Sequence, residues 1–256
     1  MRIALRTAAL AYLGALVLVP LGMILFRTFE DGFVAFWEQI TTPAAISALS
    51  LSLTIVAIVV PLNVVFGLIT ALALARGNFR GRGLLEAVVD LPFAVSPVIV
   101  GVALILFWGN EGWLGGTFPV IFSLPGMVLA TVFVTLPFVV REIEPVLREV
   151  GTEQEEAATT LGASKLQTFW RITLPAIRVG VAYGVVLTVA RALGEFGAVI
   201  VVAGGVAGES QTLTLLVHSR YIDDHNVFGA YAASTLLMGL ALVTLVLMTA
   251  LQRKRA

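Results

Sequence analysis

Arg191 and Glu195 are the charges in this chain best placed to do chemistry, because they stand four residues apart inside an apolar stretch from about Val179 to Ala203. On a helix that spacing puts both on one face, within pairing distance. Neither should face lipid, since insertion scales put one such residue at mid-membrane at about 2.5–3.5 kcal/mol. Two uses follow. As a gate or lining, Arg191 attracts a dianion, although an ionised Glu195 beside it cancels most of that field. As a structural pair, the two satisfy each other and fix the helix against its neighbours. Glu195 alone would also suit the proton carrier of a secondary transporter. Gly194, Phe196 and Gly197 adjoin the pair, and the glycines permit close approach of a partner helix or a passing anion. Ser96, between Pro92 and Pro97, is a further candidate for the path. A proline-broken helix frees backbone groups, and these must be satisfied by protein or water.

Other chemistries are excluded or disfavoured. The chain has no cysteine, which removes disulfides, thiolate metal sites and cysteine nucleophiles together. A phosphate-binding loop needs a glycine–lysine pair, and the two lysines, Lys165 and Lys254, follow Ser164 and Arg253. This chain is therefore not expected to hydrolyse ATP. His218 and His225 accompany Asp223 and Asp224 in an expected outer loop, where a solvated surface is favoured over a metal site. No nucleophile, base and orienting group fall together, so no catalytic residue is assigned and the chain reads as no enzyme. A net charge of zero gives no pull on nucleic acid.

The elements that position these residues are membrane spans. The chain is 59% hydrophobic and 12% charged, with a mean hydropathy of +0.99, about half the charged fraction of a soluble domain. A helix needs about 20 apolar residues to cross the hydrocarbon core. Six stretches qualify: Thr7 to Phe26, Ile46 to Ala75, Asp90 to Glu111, Val120 to Val140, Val179 to Ala203, and Asn226 to Leu251. The first is too long for a signal-peptide core and reads as a retained anchor. With the N-terminus inside, cytoplasmic segments hold Arg2, Arg6, Arg76, Arg80, Arg82, Arg141, Arg148, Lys165, Arg171, Arg178, Arg253, Lys254 and Arg255. The outer loops then hold only Arg27 and Arg220 among basic residues, so both termini are expected to be cytoplasmic. The whole of 1–256 reads as one all-α membrane domain. Gly180 and Gly184 in the fifth span form a small-residue pair suited to helix packing.

The loop 141–178 is polar and rich in capping residues. Thr152 with Glu155, and Ser164 with Gln167, match the capping-box pattern. Gly162 lies where a helix end requires a left-handed residue. The expected form is helix, sharp turn, helix, with Pro175 at the start of span five. Ala157 and Ala158 present almost no side chain, while Leu161, Leu166, Phe169 and Trp170 supply apolar surface. Such a pair either docks a partner or merely covers the base of the bundle.

The run Glu156-Ala157-Ala158, then Gly162-Ala163, then Ile172-Thr173-Leu174-Pro175, resembles the EAA loop of bacterial ABC-importer permeases. Within that family, Arg191 to Ala198 is similar to the signature of permeases for tetrahedral oxyanions. Gly208 to Leu213 and His218 to Asn226 look most like the W-type membrane subunits of sulfate/thiosulfate importers. The resemblance implies a type I importer-permease fold of six transmembrane helices in the bacterial inner membrane. It implies coupling through Glu156, Ala157, Ala158, Gly162, Ala163 and Pro175 to one of two ATPase subunits, which would use ATP and Mg. It also implies a second, similar permease subunit and a periplasmic sulfate-binding protein, with no cofactor on this chain. A molybdate or tungstate permease is the alternative within transport. A proton-coupled transporter and a non-transporting scaffold are the alternatives outside it.

Overall fold

The computed structural model describes residues 2–115 and 118–253, and the regular elements among them are all helical. Lys254 and Arg255, counted above in the basic C-terminal cluster, lie outside the described residues. Helix α1 (Arg2–Phe29) is followed by the short α2 (Gly32–Ile40) and by α3 (Pro43–Arg76). Then come α4 (Arg82–Ala94), α5 (Pro97–Trp108) and α6 (Leu124–Val150). Two short helices, α7 (Glu153–Thr160) and α8 (Lys165–Thr168), precede α9 (Leu174–Leu193). Short α10 (Val199–Val202) and α11 (Leu213–His218) lead to α12 (Val227–Arg253). Five helical runs among the described residues are long and apolar enough to cross a membrane, and the bent pair α4–α5 makes a sixth.

Expected boundaries are corrected in three spans. The fourth, expected over Val120 to Val140, runs as α6 from Leu124 to Val150 with Arg141 and Arg148 still on the helix. The third span is no straight helix over 90–111: α4 and α5 turn through 113° at Val95–Ser96. Pro97 causes the break, because its ring pushes Ser96 out of the helical region (φ −59°, ψ 135°) while itself fitting the first turn of α5. The fifth span starts earlier and ends earlier than expected. A π turn at Phe169–Thr173 joins α8 to α9, giving one continuous run, Lys165–Leu193. That run stops before Gly194 and does not reach Ala203, so Glu195 sits in a break and not on the helix.

The centre of the bundle is α3 against α6 against α9. Lipid is as apolar as the helix surfaces, so close packing must hold them together. Small residues provide it. A β-carbon on Gly67 would lie 2.7 Å from Val139 Cγ1, and one on Gly184 would lie 3.1 Å from Val139 Cα. The expected pairing role of Gly180 also holds, since a β-carbon there would meet the Glu142 carbonyl at 2.9 Å. One turn along α3, the fully buried Asn63 donates to Thr135 Oγ1, which donates to the Thr131 carbonyl. Gly67→Leu is expected to lower stability by about 1–3 kcal/mol through overpacking. Val139→Ala should restore part of that loss, read as a coupling between the two changes in thermal unfolding in detergent.

At the loop end of the bundle, Arg141 bonds Asp90, and Arg148 bonds the buried Glu144. At the other end Arg220, expected as a solvated loop charge, is buried. It donates to the Gly229 carbonyl (3.0 Å), the Gln39 carbonyl (3.2 Å) and Thr42 Oγ1 (2.8 Å), clamping α2, α3 and α12. Burial pushes its pKa below the ordinary arginine value, and Asp224 opposes that shift. Helix α1 packs chiefly on α12 and α2, with a buried hydroxyl contact of 2.8 Å between Thr28 and Thr235.

Candidate functional site

Glu195 is built into the break that follows α9. Gly194 ends the helix, and the Glu195 carboxylate then accepts the Ala198 N–H at 2.9 Å, as a cap does at the start of a new turn. Its second oxygen lies 2.7 Å from Arg191 Nη1, so the spacing-based pairing holds although the two residues do not share a helix. Its backbone carbonyl accepts from Thr214 Oγ1 on α11 (2.8 Å), and the next N–H along from Thr212, that of Leu213, donates to Ser52 Oγ on α3 (2.9 Å). Glu195, its side chain 1% exposed, thereby ties α9 to α10 through its carboxylate and to α11 through its backbone carbonyl.

The other path candidates divide. Gly197 faces the α4–α5 break: a β-carbon on it would lie 3.0 Å from Pro97 Cβ. The structure thus brings the broken segment 194–198 beside Ser96–Pro97. Ser96 is exposed, and its hydroxyl makes no cap bond. Gly194 and Phe196 instead line an apolar cavity of about 900 Å³ between α1, α9 and α12, where the Phe196 ring lies 5.3 Å from that of His218. His218 ends α11 and is half-buried, unlike the solvated loop residue expected; His225 is exposed, with φ +53°. Among the described residues no cluster of three or more metal-ligating side chains occurs.

The α7–α8 segment takes the helix–turn–helix form. Gly162 adopts φ +87°, and the Ala163 N–H closes the turn on the Ala158 carbonyl at 3.0 Å. Ser164 and Gln167 form the expected reciprocal capping box. Thr152 and Glu155 do not. The Thr152 hydroxyl donates to Glu156 at 2.7 Å, while Glu155 turns inward to Arg76 and Thr173. The charge partners outcompete the cap, since a bond to a guanidinium is stronger than one to an amide. Glu156 and Ala157 are exposed, Ala158 and Ala163 are half-buried, and Pro175 is exposed in the first turn of α9. Leu161 (89% exposed), Leu166 (68%) and Trp170 (60%) crown the turn as an uncovered apolar surface.

Sequence reasoning missed Asn63, Ser52, Thr214 and the Arg76–Glu155 pair. Asn63 had a signal: it is the one amide within the uncharged run of α3. The others become visible only when distant segments are brought together.

Comparison with known proteins places this geometry in context. The family model for the binding-protein-dependent transport system inner membrane component matches residues 63–256. The chain is 46% identical to the sulfate transport system permease protein CysW of Synechococcus elongatus, over 98% of this chain and 90% of that protein. It is 34% identical to the sulfate transport system permease protein CysT of Escherichia coli, over 96% and 90%. In fold it matches a chain of a bacterial ABC transporter involved in the import of the acidic polysaccharide alginate. That match has a TM-score of 0.76 at 19% identity, over 99% of this chain and 95% of that one. With the match spanning α3 to α12, the chain belongs to the family of binding-protein-dependent transport system inner membrane components.

Proposed function

We propose that this chain is the membrane-spanning permease subunit of an ATP-driven importer for sulfate and thiosulfate in the bacterial inner membrane. The observation that carries the reading is the exposed α7–α8 turn. Leu161, Leu166 and Trp170 stand uncovered beside the glycine joint at Gly162, as a docking element for another protein would require. One of two ATPase subunits, binding ATP and Mg, would dock there through Glu156, Ala157, Ala158, Gly162, Ala163 and Pro175. That end of the bundle, with Arg76, Arg82, Arg141 and Arg148, would be cytoplasmic, together with both termini. A second, similar permease completes the path, consistent with the likeness to both CysW and CysT proteins. The family's dependence on a binding protein supports delivery of the anion from the periplasm.

Within the path, Arg191, Ser96 and the glycines 194 and 197 would pass the anion without holding it tightly, leaving selectivity to the binding protein. Glu195 is committed to Arg191 and to the Ala198 N–H, an engagement that a shuttling proton carrier would have to break. The test is purification followed by vesicle uptake. A tagged chain is expected to bring down a stoichiometric ATPase. Reconstituted vesicles should then accumulate labelled sulfate only with ATP and the binding protein, with thiosulfate competing better than molybdate. Uptake driven by a proton gradient through this chain alone would overturn the reading.

A further inference from the structure

We infer that Arg76 is a positioning residue which, through Glu155, makes the α7 docking helix move as one body with α3, α6 and the start of α9. The inference rests on the reading of α7 as the ATPase-docking element. Helix α7 has no buried residue of its own. Glycines in the left-handed region bracket it, Gly151 at φ +69° and Gly162 at φ +87°, and a β-carbon on either would meet nothing within 4 Å. Beside it lies an open groove of about 580 Å³, lined by Leu72, Arg76, Glu155, Thr159, Phe169 and Thr173. An eight-residue helix held between two open joints, with no buried residue and only light contact with α8 and the π turn, transmits a push poorly by packing.

Polar contacts bridge the groove. Arg76, the last residue of α3, donates through Nη2 to Glu155 Oε1 at 3.2 Å and to the Gly151 carbonyl, and through Nη1 to the Leu147 carbonyl at 2.8 Å. The same Glu155 oxygen accepts from Thr173 Oγ1 at 2.9 Å, in the π turn that leads into α9. One guanidinium and one carboxylate therefore join α3, the end of α6, α7 and the root of α9. Both side chains are about three-quarters or more buried, where a charge-assisted bond is screened less than at the surface. When a docked ATPase displaces α7, this junction carries the displacement into three membrane helices. Without it α7 swings on Gly151 and Gly162, and nucleotide is spent while the bundle stays still.

The assembled transporter, reconstituted with its ATPase and binding protein, tests this. Arg76→Gln and Glu155→Ala are expected to keep the ATPase bound at wild-type stoichiometry and hydrolysing. The ATP used per anion imported should rise about ten-fold, the factor that losing one charge-assisted bond is worth. Glu155→Gln, which still accepts from both Arg76 and Thr173, should keep wild-type coupling. If Arg76→Gln fails to accumulate as folded protein, Glu155→Ala carries the same test from outside the core. An unchanged ratio, loss of the bound ATPase, or uncoupling by Glu155→Gln as severe as by Glu155→Ala would each overturn the inference. A wild-type chain that binds no ATPase would instead defeat the permease reading itself.

Discussion

Arginine at Gly162 is expected to abolish ATP-driven uptake while leaving the chain folded and inserted. The position is exposed at φ +87°, and a β-carbon built there meets nothing within 4 Å. The fold therefore has room for the side chain and bears only the backbone term, about 1–2 kcal/mol for an L-residue in the left-handed region. Docking would have no such room, because Gly162 adjoins Leu161 and Ala158 on the surface proposed to receive the ATPase. A bulky charge at the centre of an interface costs ~2 kcal/mol or more, so ATPase binding should fall at least about 30-fold. Gly162→Ala carries the backbone term alone and should retain most binding. The measurement is ATPase recovered per tagged chain, followed by sulfate uptake in vesicles. Full uptake by correctly inserted Gly162→Arg would refute docking through α7.

Glu195→Ala should be strongly destabilising, by about 3 kcal/mol, the low end for breaking a buried pair because the Arg191 side chain keeps 32% exposure. It leaves the Arg191 guanidinium without its 2.7 Å partner and the Ala198 N–H without its cap. The Ala198 N–H is fully buried and finds no substitute, while the Arg191 side chain, 32% exposed, is left only partly compensated. Glu195→Gln keeps an acceptor for Ala198 but not the charge, and should fall between. The combined Arg191→Met and Glu195→Gln protein separates structure from transport. Removing both charges should restore most of the lost stability, since neither charge is then left without its partner and the amide of Glu195→Gln can still accept the Ala198 N–H. If uptake stays low in that stable protein, Arg191 acts on the anion; if uptake returns with stability, the pair serves packing. Thermal unfolding in detergent and ATP-driven uptake give the two readouts.

Much of the architecture was legible because lipid imposes a simple rule on composition. Long uncharged runs marked α1, α3 and α12 closely, but not the end of α6, which carries its charged last turns on to Val150; the glycines at 180 and 184 announced the contact with α6. Hydropathy could not mark where a helix bends inside such a run. The turn at Val95–Ser96 and the stop before Gly194 are decided by Pro97 and by a carboxylate reaching a backbone N–H, and neither alters the apolar count. Local pattern misled once. Thr152 and Glu155 had the spacing of a cap, yet Arg76, 79 positions before Glu155, claimed the carboxylate. Pairings at that separation leave no periodic trace, which is why Ser52 with Leu213 and Arg76 with Glu155 emerged only from the assembled helices.

The seat of α1 has a consequence for how this protein is made. Thr28 meets Thr235 across 207 positions of chain, and α12, against which α1 chiefly rests, is synthesised after every other described helix. At roughly 5–20 residues per second, a ribosome needs about 10–40 s to bring the later helix out. Throughout that interval the first helix waits in lipid with its final neighbour still unwritten. A nascent chain arrested before Val227 should therefore expose α1 to membrane quality control, however well its middle helices have packed.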